Sequence, residues 1–332
     1  MSDGFEANGL QESWTPVALS RELGRRPRAV TVAGVRIALF RDGRRRPGAL
    51  ADRCPHRGVA LSLGRVAPDG CLECPFHGWR FRADGACAAV PLAPLPDEKR
   101  RHLAAHSFAV AERAGMIWLY TGNPSEAGEP PVPLDLQDPS LGGWRHVETW
   151  RAHWTRAMEN MLDVPHLPFV HRRTIGRAMR RRMRPDTALG LFVLPEPSGA
   201  RVTWSMDGDD FGTVLRWLRP NGMELDIRMG ARRRSTMHVW CVPEAQDRTR
   251  MIVATTRNFA RWPAIGRLFD QFSRIILLED RAIVESSRPA EVPPAVEERS
   301  VRTDRATLHF RTWYLQRVRS SRSIDIKSRS IY

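Results

Sequence analysis

Two short segments constrain this chain more than any other feature: Cys54-Pro-His56-Arg-Gly and, with seventeen residues intervening after His56, Cys74-Pro-Phe-His77-Gly-Trp. Each offers one thiol and one imidazole within a tight loop, and two such loops side by side can grip one inorganic centre from both flanks. The cysteines stand at 54, 71, 74, 87 and 241, an odd count that argues against a disulfide framework and for metal binding. Cys71 and Cys74 also form a Cys-x-x-Cys pair, so a zinc site sharing Cys54 and a histidine is the bland alternative. The one-residue spacer of Cys54-x-His56 is awkward for a zinc ribbon, whose knuckles normally use two.

Thiolates stabilise a ferric ion, whereas neutral imidazoles donate less negative charge. A mixed ligand set therefore raises a cluster's reduction potential, to about −150 to +300 mV against about −400 mV for an all-cysteine plant-type cluster. Gly58 and Gly78 let backbone amides approach the sulfurs, which tunes the same potential. The spacing, with Pro-His-Arg-Gly and Pro-Phe-His-Gly-Trp around the ligands, resembles the Rieske ferredoxin-type motif. The resemblance implies a 2Fe-2S cluster with Cys54 and Cys74 on one iron and His56 and His77 on the other. Cys71, Cys87 and Cys241 are then small buried residues.

At 332 residues the chain has room for about two domains. From Trp14 to Tyr120, alternating runs such as Ala29-Val-Thr-Val-Ala are separated by turn signals at Gly34, Gly43, Gly64, Asp69-Gly70 and Asp84-Gly85, which predicts a small all-β domain. Prolines at 124, 130, 131, 133 and 139 then give linker composition. Beyond it Trp154–Val164 reads as a helix, and five or six strand-like runs follow between Leu189 and Thr256. Apolar residues including Ile265, Leu268, Phe269, Phe272, Ile276 and Ile283 recur near a 3.6-residue period across 263–287.

A Rieske domain alone would only carry electrons, so function turns on the second domain. Its decisive stretch is Glu159-Asn160-Met-Leu-Asp163-Val-Pro165-His166-Leu-Pro168-Phe-Val-His171. Asn160, Asp163 and His166 are three apart along one helical face. His171 would lie about 140° round an unbroken helix from His166, but Pro165 and Pro168 interrupt the helix, so both imidazoles can converge on one metal. Two histidines and a carboxylate leave up to three positions open on iron for dioxygen and substrate. Glu279, Asp280 and Glu285 in the late helix all offer that carboxylate.

The Asn-x-x-Asp-x-x-His-x4-His run and the Glu-Asp-x-x-Ile-x-Glu segment resemble those of Rieske non-haem iron oxygenase alpha subunits. The match is closest in pattern to the group of dicamba and vanillate O-demethylating monooxygenases. It covers Trp14 to Ser287, with Gly176–Phe259 matching in pattern only. By that resemblance Asp280 joins His166 and His171 around a mononuclear Fe(II). The fold expected is α+β: an all-β Rieske domain over 14–121, a linker over 122–145, and a helix-grip catalytic domain over 146–316 with an antiparallel sheet and a long closing helix. A loosely ordered basic tail would follow over 317–332.

The same resemblance implies a ferredoxin or flavin reductase as electron donor, dioxygen and a small organic substrate. It also implies a head-to-tail homotrimer in which Asp163 bridges His77 of one subunit to His166 of the next. Asn160 would orient substrate or bound oxygen; a helix-surface or capping amide is the alternative. Monooxygenation, by hydroxylation or O- or N-demethylation, is the expected reaction. Arene cis-dihydroxylation is the nearer alternative, and a Rieske electron-transfer protein without a third iron is the alternative from another class.

The net charge of +15 raises nucleic acid as a partner, but arginine supplies all of the 52 basic residues except Lys99 and Lys327, and it is scattered along the chain. The clusters at 177–184, 232–234 and 317–329 lack the interleaved aromatics that stack on bases, so no nucleic acid is expected. A solvated face or a dock for an anionic substrate or partner is the reading left. The longest apolar runs, such as Leu191–Leu194, fall far short of the ~20 residues of a membrane span, and Met1–Gln11 does not resemble a secretory signal. A cytoplasmic protein is therefore expected. Trp204, Phe211, Leu215, Trp217, Met229, Met237 and Trp240 could line an apolar cavity, though alternating strand residues of this kind also make plain core.

Overall fold

Turn chemistry and alternation account for the first half of the chain. In the computed structural model, which describes Phe5 and residues 8–329, two units are formed, Met1–Pro133 and Leu134–Tyr332. The first holds β1 (Trp14–Leu19), β2 (Arg28–Val32), β3 (Val35–Arg41), β4 (Pro47–Ala51), β5 (Arg65–Val66), β6 (Leu72–Glu73), β7 (Arg80–Phe81), β8 (Cys87–Ala89), helix α1 (Asp97–Arg100), β9 (Val110–Arg113) and β10 (Met116–Tyr120). They pair as three antiparallel sheets in the orders β1-β10-β9, β2-β3-β4 and β5-β6-β7-β8. Ala33 and Gly34 take φ of 50° and 78°, the left-handed pair that a two-residue hairpin needs to follow strand twist, and so set the register Val32↔Val35.

The loop that carries Cys54 is fixed at its root by Asp52. This buried carboxylate accepts from Arg36 Nη2 at 2.8 Å, the Ser62 amide at 2.7 Å and Ser62 Oγ at 2.8 Å. Cys54 and Cys74 back onto one core with Phe40, Leu50, Leu61 and Phe81, and Cys71 lies outside it.

The second unit is built on one antiparallel sheet: β11 (Gly142–Trp150), β12 (Leu189–Glu196), β13 (Gly199–Met206), β14 (Asp209–Asp210), β15 (Val214–Leu218), β16 (Gly222–Met229), β17 (Arg233–Ala245) and β18 (Arg248–Arg257). The order is β11-β18-β17-β16-β15-β13-β12, with β14 paired to β13. With it go α2 (Trp154–Leu162), α3 (Leu167–Val170), α4 (Arg177–Arg182), α5 (Pro263–Val284) and α6 (Arg305–Arg329). Trp154, Ala157, Met158, Met161 and Leu162 form the buried stripe of α2, and buried His153 caps it, its Nδ1 2.7 Å from Thr155 Oγ1.

Two expectations need correction. The segment 122–145 is not one linker: its last residues, Gly142 to Arg145, open β11, whose ladder to β18 runs from Gly142↔Arg257 to Trp150↔Thr249. Pairing with a neighbour remote in sequence overrides the local proline and glycine content. The tail from 317 is not loose up to 329, because it continues α6; residues 330–332 lie outside the described residues. Ala306, Phe310, Tyr314 and Val318, four apart, are all buried and anchor that helix.

Candidate metal centres and cavity

The two Cys-His segments fold into loops with the same hydrogen bonding. The Cys54 amide donates to Val59 O and the Gly58 amide to Cys54 O, both at 2.8 Å; the Cys74 amide donates to Trp79 O at 2.8 Å and the Gly78 amide to Cys74 O at 3.1 Å. Gly58 and Gly78 close the loops with φ of 73° and 69°, which only glycine adopts cheaply. The His56 and His77 rings stand 4.7 Å apart, and Trp79 stacks on His56 at 4.5 Å and 4°. His56 Nδ1 is buried with no hydrogen-bond partner, as a nitrogen reserved for a metal would be. Burial pushes the Cys54 thiol up to about 11, with Cys74 beside it adding to the rise, while the amides of His56 and Arg57 favour the thiolate. The loops thus present two buried sulfurs, amide donors to sulfur and two imidazoles, which fits a Rieske cluster.

The second site begins where α2 ends. Val164 precedes Pro165 and cannot stay helical, so α2 stops at Leu162 with Asp163 as its cap. Pro165 breaks the helix as expected, but Pro168 does not, because it sits in the first turn of α3, where no amide donor is missed. His166 and His171 flank that single turn, with ring centroids 5.1 Å apart.

On α5, Asp280 shares a face with Leu277, Ile276, Ser273, Phe272 and Phe269, at steps of three, four, seven, eight and eleven. Asp280 Oδ1 lies 3.0 Å from His171 Nε2 and 3.4 Å from His166 Nε2. Ligand atoms at about 2.1 Å from one ion sit about 3 Å apart when adjacent, so this spacing suits a metal. Asp280 Oδ1 is buried and no donor is aligned on it, which a cation would remedy. Burial alone would raise the Asp280 carboxyl and lower His166. Asp163 and Asp280 outweigh it at His166, which rises to about 9, and His166 and His171 outweigh it at Asp280, which falls below its ordinary range. Among the described residues, His166, His171 and Asp280 are the group whose ligand atoms all lie within 4.8 Å of one another.

Residues 13–98 match the Rieske [2Fe-2S] domain, and residues 150–320, more than half the chain, match the vanillate O-demethylase oxygenase C-terminal domain. The chain belongs to the Rieske oxygenase family. Over 297 residues it is 29% identical to chlorophyllide a oxygenase of Chlamydomonas reinhardtii, covering 83% of this chain and 43% of that one. Over 323 residues it is 27% identical to methylxanthine N3-demethylase NdmB of Pseudomonas putida, covering 92% and 88%. The chain spans less than two thirds of several curated relatives, such as the 64% of rice pheophorbide a oxygenase. The fold matches dicamba monooxygenase bound to 3,6-dichlorosalicylic acid with a TM-score of 0.78 at 22% identity, over 93% of this chain and 97% of that one.

Glu279 and Asp280 on α5 and Glu285, which caps its end, have separate tasks. Asp280 faces the histidines. Glu279 Oε2 takes the other side of His171, 2.8 Å from Nδ1, and also accepts from Thr174 Oγ1 at 2.7 Å. Glu285 accepts from Arg281 Nε and the Arg151 amide, each at 2.8 Å, and so ties α5 to the strand end. The grip of Glu279 and Thr174 on His171 is the part sequence reasoning missed; a carboxylate next to Asp280 was the available signal. Asp163 Oδ2 lies 3.3 Å from His166 Nδ1 and accepts from its amide at 3.2 Å.

A cavity of about 160 Å³ opens beside the triad. Asn160 and Asp163 line it at the histidine end. Its wall is one face of the sheet, with alternate residues of β16 (Met223, Leu225, Ile227, Met229) beside Met237 and Trp204. Of the aromatic and apolar residues weighed from sequence, Trp204, Leu215, Met229 and Met237 line it. Trp217 instead packs on Phe310 and Trp313, and Trp240 stacks on His238.

Proposed function

We propose that this chain is the terminal component of a Rieske oxygenase, acting on a small organic molecule by monooxygenation through hydroxylation or O- or N-demethylation. The observation that carries the reading is the buried His166, His171 and Asp280 group facing an apolar cavity. His166, His171 and Asp280 would hold mononuclear Fe(II), and Cys54, His56, Cys74 and His77 the 2Fe-2S cluster. The ferrous ion supplies open coordination positions at which dioxygen is activated, and the cluster supplies electrons one at a time.

The chain's own groups do the positioning. Glu279 fixes the His171 ring so that Nε2 points at the site. The cavity wall excludes water and holds substrate against the triad, and Asn160, its Nδ2 buried without a partner, is placed to orient a bound molecule. Asp163 is held against His166 with 29% of its side chain still exposed, which suits a bridge to the partner subunit's His77 in a head-to-tail trimer. A ferredoxin or flavin reductase would donate the electrons. None of the described helices is long and apolar enough to cross a membrane, which is compatible with the cytoplasmic location proposed.

The test is iron and acid-labile sulfide analysis of anaerobically purified protein, with electron paramagnetic resonance after dithionite reduction. A Rieske-type signal with a third iron that Asp280→Asn removes is the result expected. A cluster that never acquires a third iron on ferrous reconstitution would make the protein an electron carrier. Zinc without sulfide would overturn the reading altogether.

A further inference from the structure

The cavity wall is largely apolar, and the hydroxyls of its Ser235 and Ser273 are paired with backbone carbonyls, but three of its polar side-chain groups other than the metal ligands are left unmet. Trp204, on β13 and 4% exposed, lines it, yet its indole N–H is buried and has no hydrogen-bond partner. Thr255, on β18 and also 4% exposed, lines it with a buried hydroxyl that has no partner either. Asn160 supplies the third, a buried amide nitrogen without a partner. Buried polar groups are nearly always paired, and leaving a donor unmet is costly. An indole N–H can only donate, so whatever meets Trp204 must present an acceptor.

Charge narrows the occupant further. No lysine or arginine lines the cavity among the described residues, and apart from the imidazoles of His166 and His171 at the metal site its ionisable side chains are the carboxylates Asp163 and Asp280. Arg257, whose guanidinium lies over the Phe269 ring, is paired with Asp270 at 2.9 Å. Outside the metal site, a substrate carboxylate would therefore be stripped of water with no cation to receive it. Arg233 lies over the ring of lining residue Phe259 from outside, and no arginine of the clusters at 177–184 and 232–234 lines the cavity itself.

Resting on the oxygenase reading above, we propose that the substrate is an uncharged, largely apolar molecule bearing a hydrogen-bond acceptor, such as a carbonyl or ether oxygen, which the Trp204 indole N–H holds. The Thr255 hydroxyl provides a second polar anchor. The rest of the molecule lies against the Met and Leu face of the sheet, so the acceptor fixes which carbon is turned toward the histidines. Trp204 is thus a specificity-determining residue that acts on binding and on the site of attack.

The experiment is equilibrium binding by isothermal titration to the anaerobically purified full chain, with no electron donor and so no turnover. The probes are methyl naphthyl ketone, its acceptor-free isostere isopropenylnaphthalene, and naphthoate. The ketone should bind about tenfold or more tightly than the isostere, with naphthoate weakest. Trp204→Phe should bring the ketone to the isostere's affinity and leave the isostere unchanged, and Thr255→Val should weaken the ketone less. Equal binding of ketone and isostere by the wild-type chain, preference for naphthoate, or no binding of any probe would each overturn the proposal. The wild-type comparison holds even where a variant fails to fold. Iron content is measured on the same sample, so a chain that binds the ketone but lacks a third iron sinks the oxygenase reading and not this one.

Discussion

Replacing Glu279 by glutamine isolates what the outer partner of a metal ligand contributes. His171 is 1% exposed and its Nδ1 lies 2.8 Å from Glu279 Oε2, so the carboxylate fixes the tautomer with Nε2 free and makes the ring a stronger donor. A hydrogen bond to a charged group contributes about 1.5–3 kcal/mol, and loss of such a partner costs roughly 10–100-fold in metal affinity, the same range at about 1.4 kcal/mol per decade. Glu279 is 25% exposed, which screens its charge, and glutamine can still accept from Nδ1. About tenfold is therefore expected for Glu279→Gln and about 100-fold for Glu279→Ala. The assay is ferrous ion competition against a chromophoric chelator, with the Rieske absorption confirming an intact cluster. Glu285→Gln is the control, because Glu285 serves Arg281 and the Arg151 amide instead. Wild-type affinity in both Glu279 variants, or an equal loss in the control, would refute the reasoning.

Three further outcomes are expected. Asp163→Asn should leave the cluster and the third iron bound yet nearly abolish donor-coupled turnover, measured as product formed per reductant consumed; substantial retained activity would count against the bridging role. Ferrous loading should weaken as pH falls, because His166 is raised to about 9 in the metal-free chain and must lose its proton to bind; apparent affinity should rise about tenfold per pH unit between 6.5 and 8, measured by the same competition. Glu159 accepts from Arg156 Nη1 at 2.9 Å and from buried Arg311, and both arginines also pair with Glu298, so Glu159→Ala leaves one carboxylate for two guanidiniums and should cost about 1–3 kcal/mol in urea unfolding, whereas an effect near zero would mean that water reaches the pair.

What the sequence determined by itself is local. The four candidate ligands of the first site sit in two loops whose hydrogen bonds close within five residues, so spacing carries the geometry of each loop. The pair His166 and His171 is legible for the same reason, because Pro165 ends α2 and one turn separates the two rings. The short strands of the first unit follow from alternation and turns such as Ala33-Gly34.

Tertiary structure decided the rest. Successive helical residues point about 100° apart, so Glu279 and Asp280 must differ in role, but only the packing of α5 against the sheet determines which one meets Nε2 and which one Nδ1. The same holds for β11 and for α6, whose polar and basic sequences hide partners remote along the chain. Trp204 and Trp217 read alike as alternating strand residues, yet one lines the cavity and the other packs against α6. A strand's period separates its two faces, while which face meets a cavity and which meets a helix depends on neighbours brought in from elsewhere in the chain.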